Sequence, residues 1–269
     1  MEEGSQPSII GIDAGFANRM VIFPILEESL NTEAVSAWQE VQARQMARTS
    51  SYWVATQPSH AVLAGDLASA LRDDLFGPID ATVSRSIALH DAGWSLADAA
   101  QIQELRANPK TEPRSFLEAS TDEFLRAWVS SIETAEKFAE IGGYIVSRHF
   151  ERLSHLSDAK EKSKLQGFQQ RQKARQAKLR SGLHADEAAL EKLVDALQFC
   201  DVLSLYLCSG SKRSVRFESP EIVLRRSGEE HRLDPFPFRE HRQFSFSALK
   251  HPAGSGKAPK SGATFYINL

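Results

Sequence analysis

The sequence predicts a mainly α-helical protein: a helical bundle with a small antiparallel β-sheet formed by C-terminal strands, which N-terminal strands are placed to join. Three observations lead there. Between Trp53 and Gly210 apolar residues recur at helical spacing. Beyond Gly210 the pattern approaches period two, interrupted by Pro, Gly and charged turns. Near the start, "IIGIDAGFANRMVIFPI" sets two β-prone runs about a Gly/Asn-containing turn. At 269 residues, 42% of them hydrophobic and 25% charged, the chain can bury a sizeable core in the manner of an ordinary soluble globular protein. It carries no internal repeat.

Taken in order, "MEEGSQPS" is polar and aperiodic and reads as a loose end. After the strand pair, Val35, Trp38 and Val41 fall at helical spacing behind a cap at Asn31 or Thr32. Residues 1–51 are thus expected to form a cover or extension of strands and one helix. A helical domain is expected over 52–210, and a β-rich segment packed on it over 211–269.

The helical character is expected to begin at Trp53, with Thr56 or Gln57 as a cap and Pro58 in the first turn, where its missing N–H has no intrahelical partner. His60, Leu63, Ala64, Leu67, Ala68 and Leu71 then share one face. "SIALHDAGW" reads as a second buried helix that Gly93 ends or bends, and "RANPKTEPRSF" as a Pro-rich loop. A long helix is expected from Thr121 to Leu156, with Phe138, Ile141, Ile145, His149, Leu153 and Leu156 on one stripe. The basic run from Lys160 to Arg180 has almost no apolar face beyond Leu165, Phe168 and Leu179 and reads as an exposed helix or a mobile arm. After the turn and cap in "SGLHADE", Val194, Leu197, Asp201, Leu205 and Cys208 form another stripe. "SVRFE", "EIVLRR", "RQFSFSAL" and "ATFYINL" are the closing strands, and "LDPFPF" points to close packing by Phe236 and Phe238.

Composition narrows the function. A net charge of −3 and a pI near 6.3 argue against a general polyanion binder, so nucleic acid is not the expected partner. The basic 160–180 run leaves RNA or an acidic partner as a minor reading, because only Phe168 supplies an aromatic for stacking. Cys200 and Cys208 lie two helical turns apart, about 12 Å along an axis, too far for a disulfide, and point to a reducing, cytoplasmic setting. The sequence shows neither a signal-peptide pattern nor an apolar run long enough to span a bilayer, so no membrane partner is expected.

Four of these predicted elements place an imidazole or carboxylate where an apolar residue belongs: His60, the adjacent His90 and Asp91, His149, and Asp201. Any one alone is explained by a hydrogen bond to backbone or an ion pair. Together they supply a mixed nitrogen and oxygen donor set suited to Mn²⁺, Fe²⁺, Zn²⁺ or Mg²⁺, and a bound cation would make the buried carboxylates electrostatically tolerable. One metal is favoured over two. His149 is the candidate for a second, but His155 lies about 240° round the helix from it, and otherwise only His184 could complete that site. Arg114, Arg148, Arg171 and Arg175 are candidate anion contacts. His231, His241 and His251 read as surface histidines.

The ordered set His60, then His90–Asp91, then Asp201 resembles the HD superfamily of metal-dependent phosphohydrolases. "TQPSHAVLAGDLA", "ALHDAGW", "PRSFLE", "SRHF", "DVLSLYLC" and "DPFPF" together look closer to an uncharacterised family of unknown function within or beside it, sharing a Gln-Pro-x-His opening and a Leu-His-Asp-x-Gly-Trp core. The resemblance runs from Trp53 through most of the chain. It implies an HD-like helical bundle, first ligands His60, His90, Asp91 and Asp201, and hydrolysis of a phosphoester of a nucleotide or small metabolite. On that expectation Asp91 and His149 take part in catalysis, while Gln57, Trp94, Arg114 and Arg148 line the substrate. One departure stands out: many two-metal members read His-Asp-x-Gly-Lys, and here Trp94 replaces the lysine that helps neutralise phosphate. An HD-type di-iron oxygenase and a non-catalytic ligand-sensing protein are the alternative expectations.

Overall fold

The computed structural model describes residues 21–24, 52–108, 110–114, 116, 119–155, 162–210, 214–227, 230–251 and 262–269. The polar start, the first run of the N-terminal strand pair, the helix expected after Asn31 and Leu156 lie outside these residues. Among the described residues the chain is mainly helical, with antiparallel strands before and after the helices.

Helix α1 (Gln57–Ala70) starts where the Thr56 hydroxyl accepts the Ser59 N–H at 3.1 Å. Helical character therefore begins at Gln57 and not at Trp53. Tyr52–Ala55, all aromatic or small apolar residues suited to a pleated surface, form strand β2, which pairs antiparallel with β1 (Val21–Pro24). The predicted inward face of α1 is buried throughout, His60 included.

A short helix α2 (Asp73–Phe76) leads to α3 (Ala81–Ile87), capped by the Asp80 carboxylate on Val83 N–H at 2.8 Å. That helix stops at Ile87, so His90 and Asp91 are not helical as expected; they occupy the turn between α3 and a 3₁₀ turn, Ala92–Trp94. Tertiary docking is the reason. Gly93 lies against the next long helix, its N–H donating to Ser131 Oγ at 2.9 Å, and a Cβ there would stand 2.0 Å from the Ala127 carbonyl oxygen. Helix α4 (Ser95–Ala107) follows.

The helix expected over Thr121–Leu156 is two helices, α5 (Thr121–Phe138) and α6 (Glu140–Ser154), hinged at Ala139, whose backbone is extended. A continuous rod would leave both apolar faces in water. Folding back stacks Trp128 on Phe150 with ring centroids 5.1 Å apart. Phe138, expected on the stripe, sits at the corner and is exposed.

The basic run is helix α7 (Lys162–Arg180), docked on α6. Leu165, Phe168 and Leu179 are its buried apolar residues, and the interface is completed by Gln172 and Gln176, which hydrogen-bond Ser147. Helix α8 (Glu187–Ser209) is capped by Asp186 and ends at Gly210, whose φ of 65° is the left-handed conformation glycine adopts without strain. Val194, Leu197, Asp201, Leu205 and Cys208 are all buried as the stripe predicts, and both cysteines are free thiols.

Among the described residues the strands form two sheets rather than one. β1, β2, β6 (Gln243–His251) and β7 (Gly262–Asn268) make a four-stranded antiparallel sheet in that order, so the second run of the expected N-terminal pair, β1, does join the C-terminal strands, through β2. β3 (Val215–Glu218), β4 (Glu221–Ser227) and β5 (Glu230–Asp234) form a separate three-stranded sheet. "DPFPF" ties the end of α1 down: Phe238 is buried and bridges Leu71, with Arg72 N–H donating to the Pro237 carbonyl at 2.9 Å. His251, expected at the surface, is buried, a ring nitrogen 2.9 Å from the Thr111 carbonyl oxygen. Among the described residues no helix is long and apolar enough to cross a membrane.

Gly93→Ala should destabilise the protein by about 1–3 kcal/mol, because the new methyl meets a backbone oxygen that cannot step aside. A lowered urea midpoint with an unchanged slope is the expected result; an unchanged midpoint would mean the turn is free to shift.

Candidate metal centre

Four elements bring the predicted residues to one place. His60 comes from α1, His90 and Asp91 from the turn after α3, His149 from α6, and Asp201 from α8. His60 Nε2 lies 2.8 Å from Asp91 Oδ2, and His90 Nε2 lies 3.3 Å from Asp201 Oδ1 and 3.9 Å from Asp91 Oδ2. Donor atoms of His60, His90 and Asp91 all fall within 4.8 Å of one another. Ligands about 2.1 Å from a shared ion stand roughly 3.0–3.4 Å apart when adjacent and about 4.2 Å when opposite; the 3.3 and 3.9 Å separations fall within these limits, the 2.8 Å one falls just below them, and Asp201 stands outside the set of three.

The hydrogen bonds behind the two imidazoles settle which nitrogens face the centre. Ser204 Oγ–H donates to the Asp201 carbonyl at 2.8 Å, which leaves the Ser204 oxygen to accept from His60 Nδ1–H at 3.0 Å. His90 Nδ1–H donates to the Ile87 carbonyl at 2.8 Å, a contact available because α3 has ended there. In their neutral forms both rings therefore carry the proton on Nδ1 and present the Nε2 lone pair, the arrangement in which outer hydrogen bonds orient metal-binding histidines. The donor set fits a divalent cation.

Electrostatics fit as well. Burial works against charge on His90, yet Asp91 and Asp201 together raise its pKa to about 9, so a proton is held where a cation would neutralise the same carboxylates. Asp201 is buried, which alone would raise its pKa, but the N–H groups of His149 and His90 hold it well below the usual carboxylate range. Burial lowers the pKa of His149. Solvent reaches the cluster only on the carboxylate side: Asp91 and Asp201 are 8% and 7% exposed, His60 and His90 0% and 1%.

The other predicted residues are dispersed. Trp94 packs edge-on against Phe124 in an aromatic group that continues through Trp128 to Phe150. Arg148 follows the direction of α6 away from the centre and is committed to Glu191 and Glu151. Arg114 is exposed. Arg175 pairs with Glu136, and Arg171 lies on the solvent face of α7. Gln57 is 1% exposed and its Nε2 has no partner.

Two contributors carry no signal in the sequence. Ser204 is one helical turn from Asp201 among apolar residues, and Asp98 looks like a solvated residue of a polar helix. Asp98 is instead buried, one carboxylate oxygen accepting the Gln57 backbone N–H at 2.7 Å. Burial, with the nearby Asp91 charge, pushes its pKa up to about 7 against the pull of that N–H.

Residues 45–249 match the model of the family DUF3891, described as a protein of unknown function, and the chain belongs to that family. No curated protein and no solved structure matches it.

Because the fold disfavours ionised Asp98, its cost appears as pH rises above the unfolded value of 3.8 and is complete above about 7. In the metal-free protein Asp98→Asn should therefore raise stability at pH 8 by at most on the order of 4 kcal/mol, and change little near pH 4. Thermal denaturation across that range reads the difference; a gap that stays constant with pH would remove the assignment.

Proposed function

We propose that this member of DUF3891 is a metal-dependent hydrolase of the HD type, which binds one divalent cation through His60, His90, Asp91 and Asp201 and cleaves a phosphoester of a nucleotide or small metabolite. One observation carries the reading: two imidazoles held at Nδ1 aim Nε2 at carboxylate oxygens, His60 at Asp91 2.8 Å away and His90 at Asp201 3.3 Å away.

A cation bound there supplies a water of lowered pKa and polarises a phosphoryl oxygen. The protein's own groups do the rest. His60 and His90 are held rigidly by Ser204 and the Ile87 carbonyl, so their donor atoms are in place before binding. Asp91 and Asp201 balance a double positive charge in a site that excludes most water. Substrate would approach from their exposed edge, the side of the cluster that solvent reaches. Asp98, with a pKa of about 7, can exchange a proton near neutrality, and Gln57 Nε2 is a buried donor without a partner. With Trp94 packed among aromatics and Arg148 paired, phosphate recognition rests on the cation more than on a protein charge.

Protein supplied with Mn²⁺ should hold about one ion per chain, and His90→Ala or Asp91→Ala should lose it, by elemental analysis after desalting. Binding must displace the His90 proton, so affinity should rise about tenfold per pH unit up to about pH 9, with roughly one proton released. Calorimetry in buffers of different ionisation enthalpy measures this, and proton-independent binding would place the cation elsewhere. With Mn²⁺, hydrolysis of bis(p-nitrophenyl) phosphate should fall about 100-fold or more in Asp91→Ala, since even outer partners of metal sites carry 10–100-fold effects. Metal bound without cleavage of this or a monoester would retain the centre and reject the hydrolase.

A further inference from the structure

His149 lies beside the centre but is wired differently from His60 and His90. Its Nε2 faces Asp201 Oδ2 at 3.4 Å, and its Nδ1 is buried without a partner. The ring packs against Phe150 and edge-on to His90, with centroids 5.1 and 5.7 Å away. We infer that His149 is a positioning residue and not a ligand: its Nε2–H donates to Asp201 Oδ2, turning Oδ1 toward the His90 Nε2 side, so that the centre takes one cation and not two. The inference rests on the proposed metal centre.

The tautomer decides. To ligate through Nε2, His149 would have to carry its proton on Nδ1, where no acceptor waits, and a buried N–H left without an acceptor carries the full cost of its lost hydration. With the proton on Nε2 the N–H is used, and only a lone pair remains unpaired, the less costly of the two defects. Asp201 divides its oxygens accordingly, Oδ1 3.3 Å from His90 Nε2 and Oδ2 toward His149. A second ion also lacks donors. His155 turns outward to Gln169 and Glu151, and His184 is exposed. Among the described residues His60, His90 and Asp91 form the sole set of three or more such side chains with donor atoms this close.

The test is cobalt substitution of wild type, His149→Gln, which keeps an N–H donor, and His149→Ala. We expect one Co²⁺ per chain in all three, with ligand-field absorption bands in His149→Gln matching wild type. Affinity should fall about 10–100-fold in His149→Ala and recover in part in His149→Gln. Should the alanine variant not fold, the glutamine spectrum and the nitrogen NMR of [¹⁵N]histidine-labelled, Zn²⁺-loaded wild type decide alone: His60 and His90 protonated on Nδ1, His149 on Nε2. Two cobalt ions per wild-type chain with one lost on changing His149, shifted bands in the glutamine variant, or a His149 proton on Nδ1 overturns the inference while leaving the metal centre standing. A wild type that takes up no cobalt, or a His90→Ala/Asp91→Ala variant that keeps it, rejects the centre and the inference together.

Discussion

The packing of α1 on α8 is the constraint from which the rest of the molecule follows, and its focal contact is a hydrogen bond between His60 and Ser204. Burying an imidazole at the middle of a helix pair is costly unless both nitrogens are satisfied. Ser204 holds Nδ1, and Asp91 Oδ2 stands 2.8 Å from Nε2, so the turn after α3 completes the surroundings of the ring. That turn in turn needs the face of α5, where Gly93 lets backbone meet backbone. A polar demand inside one helix interface thus fixes where two further elements must go.

The same logic explains why so much ionisable chemistry sits in one spot without breaking the core. Two carboxylates and three imidazoles are buried together, and each carboxylate faces ring nitrogens at 2.8–3.9 Å. Removing one partner leaves a buried charge uncompensated, which is more damaging than losing an apolar contact. Nearer solvent lies the half-buried network of Arg148 and Arg152 with Glu191 and Asp195 that joins α6 to α8. The centre and this network lie on different sides of α6, which lets adjacent residues Arg148 and His149 serve unrelated purposes.

What the sequence determined by itself was periodicity and the residues that violate it. His60 and Asp201 stood out because they interrupt apolar stripes on α1 and α8, and those stripes are buried as written. The caps at Thr56 and Asp186, and the antiparallel strands that close the chain, follow from local chemistry that acts within a few residues. The tertiary structure decided whatever depends on a partner distant in sequence. Helix α3 ends before His90 because Gly93 docks on Ala127, and the Thr121–Leu156 run breaks at Ala139 because Trp128 gains Phe150. β2 interrupts the expected helical start because its backbone groups pair with β1 and β6. Asp98 and Ser204 stayed hidden for the same reason: a lone polar residue on a helix has no periodic signature, and its role depends on which backbone or side-chain atom another element brings within 3 Å of it.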